Sequence, residues 1–130
     1  MIASAWLGVR RSQRQIRWAP VLEQAVWVLP FVVVAEMRFG AEVAGWGVRR
    51  RAVLERLVAR AGVVPPLDDV TDAYVVLRAW CVRTGHGLGA KDHEADRWVA
   101  SVALAGGIPL ATEDAIFDAV PALQRAFPET

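Results

Sequence analysis

Three short apolar runs, Val26–Val32, Val63–Leu67 and Ile108–Ala111, are set between longer stretches that repeat their apolar residues at helical spacing. Brief, continuous, β-rich runs of this kind suit strands covered on both faces, as in a parallel sheet, and Pro30 places the first near a strand end. The intervening stretches read as helices. One runs from about Val33 to Ala44, closed by Gly45 and Gly47, and the next from Arg49 to Ala61 carries Val53, Leu54, Leu57 and Val58 on one side and stops at Gly62. After the turn at Pro65-Pro66, Asp68 or Asp69 can cap a helix whose stripe is Val70, Ala73, Tyr74, Leu77, Trp80 and Cys81. A glycine-rich loop, Gly85 to Gly89, leads to a further helix over Asp92–Ala105 that ends at Gly106-Gly107, and Ser12–Gln24 fits a short helix before the first strand. A last helix is expected after the third strand. Alternation of this kind predicts an α/β sandwich around a small parallel sheet.

The chain of 130 residues, 55% hydrophobic and 22% charged, is sized for a single domain with a real core, which excludes disorder. Cys81 is the single cysteine, so no disulfide framework exists and a reducing cytosol is the expected compartment. The most apolar stretch, Ala25–Ala35, is 11 residues long against the ~20 that a spanning helix needs. The N-terminus lacks the pattern of a signal peptide, and a cytoplasmic, membrane-free protein is expected. With a net charge of +1, affinity for nucleic acid has to come from local clusters. Arg10, Arg11, Arg14 and Arg17 form one, and Arg49, Arg50, Arg51, Arg56 and Arg60 form another. Either can neutralise RNA phosphates, and either can be a solvated helix face.

Three acids stand in positions that a plain core would avoid. Glu36 has Val32, Val33, Phe39 and Gly40 one turn away on either side, Asp96 precedes Val99, Ala100 and Ala103 on its face, and Asp114 follows the third strand. Each has an ordinary structural reading: an ion-pair partner for Glu36, a first-turn residue favoured by the helix dipole for Asp96, a helix cap for Asp114. Together, at the ends of strands and the starts of helices, they suit a hard cation such as Mg²⁺ or Mn²⁺. Cys81, His86 and His93 lack zinc-site spacing, no serine lies in a nucleophile elbow, and the glycine loop does not follow a strand. His93, one turn before Asp96, can orient a ligand or simply cap. Of the six tryptophans, Trp98 reads as core and Trp46, between Gly45 and Gly47, as the best candidate for an exposed contact.

Three segments in order resemble the PIN domain, a metal-dependent ribonuclease fold, and more narrowly VapC-type toxins of toxin–antitoxin pairs. They are Val33-Val34-Ala35-Glu36-Met37-Arg38-Phe39-Gly40-Ala41, His93-Glu94-Ala95-Asp96-Arg97-Trp98-Val99-Ala100, and Gly107-Ile108-Pro109-Leu110-Ala111-Thr112-Glu113-Asp114-Ala115-Ile116-Phe117. The resemblance implies a three-layer α/β/α sandwich spanning residues 1–130. It makes Glu36, Asp96 and Asp114 the catalytic, metal-holding acids for Mg²⁺ or Mn²⁺, with Thr112 and His93 in support. It also implies RNA as substrate, with Arg10, Arg11 and Arg14 as candidate contacts, a cognate antitoxin and a homodimer, with Phe39 and Trp46 as candidate partner-binding residues. The family opens with a central strand ending in an Asp that is a principal ligand, and Met1–Leu7 aligns instead with the helix after it. Hence the sequence is expected to begin downstream of that strand, through a start set at an internal Met or through truncation. The latter would leave a remnant that binds antitoxin or RNA without cleaving.

Overall fold

A computed structural model of the chain describes residues 28–127. Chain contacts divide it into two compact units, the first running to Val63 and taking in Phe127, the second spanning Val64–Ala126. In the first unit, strand β1 covers Leu29–Pro30 and helix α1 covers Phe31–Val43. The expected strand over Val26–Val32 is therefore shorter where it is described. Pro30 has no N–H to extend a ladder, and with φ −59° and ψ 147° it caps the helix that starts at once. From there Val33, Val34, Met37 and Ala41 follow the helical period and are buried.

Gly45, at φ +66°, turns the chain after α1, and Trp46 N–H donates to the Ala41 carbonyl at 3.0 Å. Helix α2, Val48–Ala61, buries Leu54, Val58 and Ala61. Val53, expected on the buried stripe, is 43% exposed instead, because the seam runs one residue further round the helix. Arg38 joins α1 to α2 through Glu55 (Nη2 to Oε1, 2.8 Å), and Arg51 closes the turn by donating to the Trp46 carbonyl at 2.8 Å. Gly62, at φ +75°, ends α2, its carbonyl accepts from Leu29 N–H at 3.0 Å, and strand β2 (Val63–Val64) pairs with β1.

The second unit is built on helix α3, Asp68–Thr84, with Val70, Tyr74, Leu77 and Cys81 buried at the expected spacing. Leu67 holds the cap position without a side-chain bond, and Asp68 and Asp69 occupy the first turn, where they complement the helix dipole. Two 3₁₀ turns follow, Gly87–Gly89 and Lys91–His93, and then helix α4, Glu94–Gly106. The helix expected from Asp92 is thus tightened to a 3₁₀ turn at its start. Strand β3, Leu110–Ala111, runs parallel to β4, Arg125–Ala126, with Leu110 opposite Arg125 and Ala111 opposite Ala126. In place of the expected last helix there is a single 3₁₀ turn, Ala115–Phe117, followed by this strand. Leu77, Cys81, Leu88, Ala100, Phe117 and Val120 form the core of this unit. No helix among the described residues is long and apolar enough to cross a membrane.

Candidate active site

Two loops of the second unit, one leading to Asp96 in the first turn of α4 and one carrying Asp114, are fastened by hydrogen bonds that the local sequence supplies. The first begins at Gly85, whose φ of +69° ends α3 and lets both Gly85 N–H and His86 N–H donate to the Cys81 carbonyl. His86 Nδ1 accepts from Leu88 N–H at 3.0 Å, which leaves the ring hydrogen on Nε2, where it donates to the Asp118 carbonyl at 2.7 Å. One imidazole therefore ties this loop to the segment after Asp114. Leu88 is fully buried, and Gly89 lies so close to α3 that a side chain on it would meet the Cβ of Cys81 at 2.9 Å.

The loop ends on His93, and its Nδ1 meets Asp96 Oδ2 at 2.8 Å across one turn. Both side chains are about one-third exposed, at 34% and 29%. Asp96 thus stands at the rim of the buried face of α4, as expected from its neighbours. On the next residue Arg97 is buried, and its Nη1 donates to the carbonyls of Leu88 (2.9 Å) and Ala90 (2.7 Å). Tyr74 stacks on Trp98 with ring centroids 4.0 Å apart, so Trp98 is half-buried against α3. Cys81, inside the core, has its thiol pushed above the ordinary value by desolvation, against the pull of the nearby Arg97 charge.

In the second loop the buried Thr112 accepts from Asp114 N–H through Oγ1 at 3.1 Å. Asp114 Oδ1 accepts from Ile116 N–H at 3.0 Å and caps the Ala115–Phe117 turn. The capping reading of Asp114 is therefore correct, and it uses one carboxylate oxygen. Arg125 crosses from β4, and its Nη2 donates to the carbonyls of Thr112 (3.2 Å) and Asp114 (3.0 Å) while Nη1 pairs with Asp118.

Glu36 belongs to the first unit, on α1, and it is exposed. The burial inferred from its apolar sequence neighbours is thus corrected: the buried side of α1 is formed by Val33, Val34, Met37 and Ala41, and Phe39 is itself 70% exposed. Among the described residues no group of three or more His, Cys, Asp or Glu side chains is gathered closely enough to hold a metal ion. Trp46 is half-buried, with the Arg50 guanidinium 5.4 Å from its ring centre. Arg49, Arg50, Arg56 and Arg60 are exposed along α2, whereas Arg10, Arg11, Arg14 and Arg17 lie outside the described residues. A cavity of about 450 Å³ lined by Asp72, Val76, Leu77, Trp80, Arg83 and Leu104 contains none of the candidate acids.

His86, Arg97 and Arg125 were not among the expected site residues. Arg97 had a legible signal, since it shares a helix face with Ala100 and Ser101, both buried. His86 and Arg125 had none.

A family model described as PIN domain matches residues 2–123. Comparison with curated proteins finds no match. Among solved structures, the chain is similar to a chain of the crystal structure of VapBC2 from Rickettsia felis bound to a DNA fragment from their promoter. The TM-score is 0.80 at 18% identity, covering 98% of this chain and 94% of that one, a likeness of fold.

Proposed function

Because the chain belongs to the PIN domain family, we propose that it is a metal-dependent endoribonuclease, the toxin of a toxin–antitoxin pair, which hydrolyses RNA phosphodiester bonds with water as the nucleophile. The observation that carries this reading is the pair Asp96 and Asp114. Asp96 stands in the first turn of α4 beside His93 and Asp114 on a loop tied by Thr112, and each has one carboxylate oxygen, Asp96 Oδ1 and Asp114 Oδ2, without a described hydrogen bond. Carboxylate oxygens are the donor type that a hard divalent cation, Mg²⁺ or Mn²⁺, prefers, whereas the single thiol is buried in the core and His93 is engaged with Asp96. When bound, such an ion supplies charge stabilisation at the scissile phosphate and a water of lowered pKa.

The chain's own residues do the holding. Asp96 and Asp114 provide the negative charge of the second unit that would attract the cation. His93 fixes the rotamer of Asp96 through its 2.8 Å contact. Thr112 fixes the backbone of Asp114. No side chain is needed as a nucleophile.

For partners, the likeness to a toxin–antitoxin complex and the surface of the first unit support an antitoxin seated on α1 and α2. Phe39, Val43 and Val48 are 70%, 72% and 87% exposed there, flanked by the arginines of α2 and by Trp46. Exposed apolar residues rimmed by charge are the chemistry of a docking surface. The same helices are the candidate surface for a homodimer.

Cleavage of structured RNA in Mn²⁺ by the purified chain tests the reading, with Asp114→Asn as the control. The amide oxygen of Asn still caps Ile116 N–H, so that variant should fold and melt like the parent while losing cleavage. Mn²⁺ at a hundred times its Kd should stabilise the parent by about 2.7 kcal/mol, and a module that only binds antitoxin or RNA would show no such shift. A folded chain that neither cuts RNA nor gains stability from Mn²⁺ would refute the assignment.

A further inference from the structure

Two cationic side chains of the second unit sit where a charge is costly. Arg97 is 3% exposed, no carboxylate pairs with it among the described residues, and its Nε is buried without a hydrogen-bond partner there. A buried guanidinium in that state is a net expense unless its position accomplishes something. What it does is grip: Nη1 holds the carbonyls of Leu88 and Ala90, at 2.9 Å and 2.7 Å, on the loop that delivers His93 to Asp96. The loop from Leu88 to His93 is therefore fastened at both ends to adjacent residues of α4, by Arg97 at one end and Asp96 at the other.

Arg125 does the same for the other acid. Its Nη2 holds the carbonyls of Thr112 and Asp114, and its Nη1 holds the carboxylate of Asp118, so one guanidinium bridges both ends of the loop that contains Asp114. Bonds from a charged planar donor are stronger and more directional than neutral ones, and they restrict the carbonyls they reach. We propose that Arg97 and Arg125 are positioning residues, Arg97 clamping the loop that brings His93 to Asp96 and Arg125 the loop that bears Asp114, so that both carboxylates are held in place before any ligand arrives. The consequence for metal binding rests on the function proposed above, whereas the clamping itself does not.

The test uses Arg97→Lys and Arg125→Lys, with amide exchange read residue by residue by NMR and Mn²⁺ titrated into the same samples. Lysine keeps the charge and loses the planar fork. Arg125→Lys should speed exchange of the Asp114 and Ile116 amides by about tenfold or more while sparing those of Gly89 and His93, and Arg97→Lys should do the reverse. Mn²⁺ affinity should fall by about ten- to a hundredfold in either variant at nearly unchanged melting temperature. If Arg97→Lys does not fold, Arg97→Met removes the buried charge and should show the same loosening of Gly89 and His93. Unchanged exchange in a variant's own loop, or equal acceleration of both loops, would overturn the proposal. Failure of the parent chain to bind Mn²⁺ at Asp96 or Asp114 would instead remove the metal-site reading, with the exchange data still deciding the clamp.

Discussion

Replacing Gly89 by alanine should destabilise the protein, whereas the same change at Gly87, two residues earlier, should not. A Cβ on Gly89 would lie 2.9 Å from the Cβ of Cys81 and 3.7 and 3.8 Å from that residue's backbone carbon and oxygen. The obstacle is part of α3 itself, so no rotamer change relieves it and the loop or the helix must move. Overpacking of this kind costs about 1–3 kcal/mol, and the stiffer unfolded chain returns roughly 0.4–1 kcal/mol of it. The net loss is about 1–2 kcal/mol, or a melting temperature lower by roughly 3–10 °C for a domain of this size. At Gly87 the added methyl would meet only Ile116 Cδ1, at 3.2 Å, the far end of a flexible side chain. That variant should stay within about 0.5 kcal/mol of the parent. Thermal and urea unfolding of both variants decide the matter, with unchanged m-values as the check on two-state behaviour. A Gly89→Ala protein as stable as the parent would refute the reasoning. So would rescue by Cys81→Ala, because alanine keeps the atom responsible.

Cys81 links stability to alkaline pH. Burial raises its thiol above the ordinary 9.0, so the folded state keeps a proton that the unfolded chain releases, and stability should fall as pH rises through 9.0 toward the folded value. Cys81→Ala should flatten that slope in urea titrations. The exposed Arg38–Glu55 pair should show a coupling of roughly 0.2–1 kcal/mol in a double-mutant cycle, shrinking at high salt, since both side chains are about half exposed. A coupling insensitive to salt would contradict that account. For the Tyr74–Trp98 stack, a cycle with leucine at each position should return about 0.5–1.5 kcal/mol, and no coupling would mean that the rings merely share a surface.

Much of the helical framework was legible because burial there follows a local period. Val70, Tyr74, Leu77 and Cys81 mark α3 along one stripe, and Gly62, Gly85 and Gly107 each stop a helix at a positive φ. Asp114 was legible as a cap, a use that falls on Oδ1 of its carboxylate. Strand β4 was not legible: two residues in a Gln-Arg-Ala-Phe context acquire their state only by pairing with Leu110 and Ala111. Glu36 was misjudged because apolar neighbours one turn away do not decide which side of a helix is covered, and Phe39 is outside with it. The role of Arg97 is hidden in the sequence for a related reason. Long cationic side chains are usually assumed to reach water, and this one ends on two carbonyls instead.

The parallel pairing of β3 with β4 has a consequence for the order in which the protein matures on the ribosome. Arg125 emerges 11 residues after Asp114, and the bonds it makes require β4 to have found its register beside β3. Parallel pairs close late, since the intervening chain must be ordered before any ladder bond is gained. A nascent polypeptide halted between those two residues would already contain every acid of the candidate centre, yet the segment bearing the last of them would still be slack.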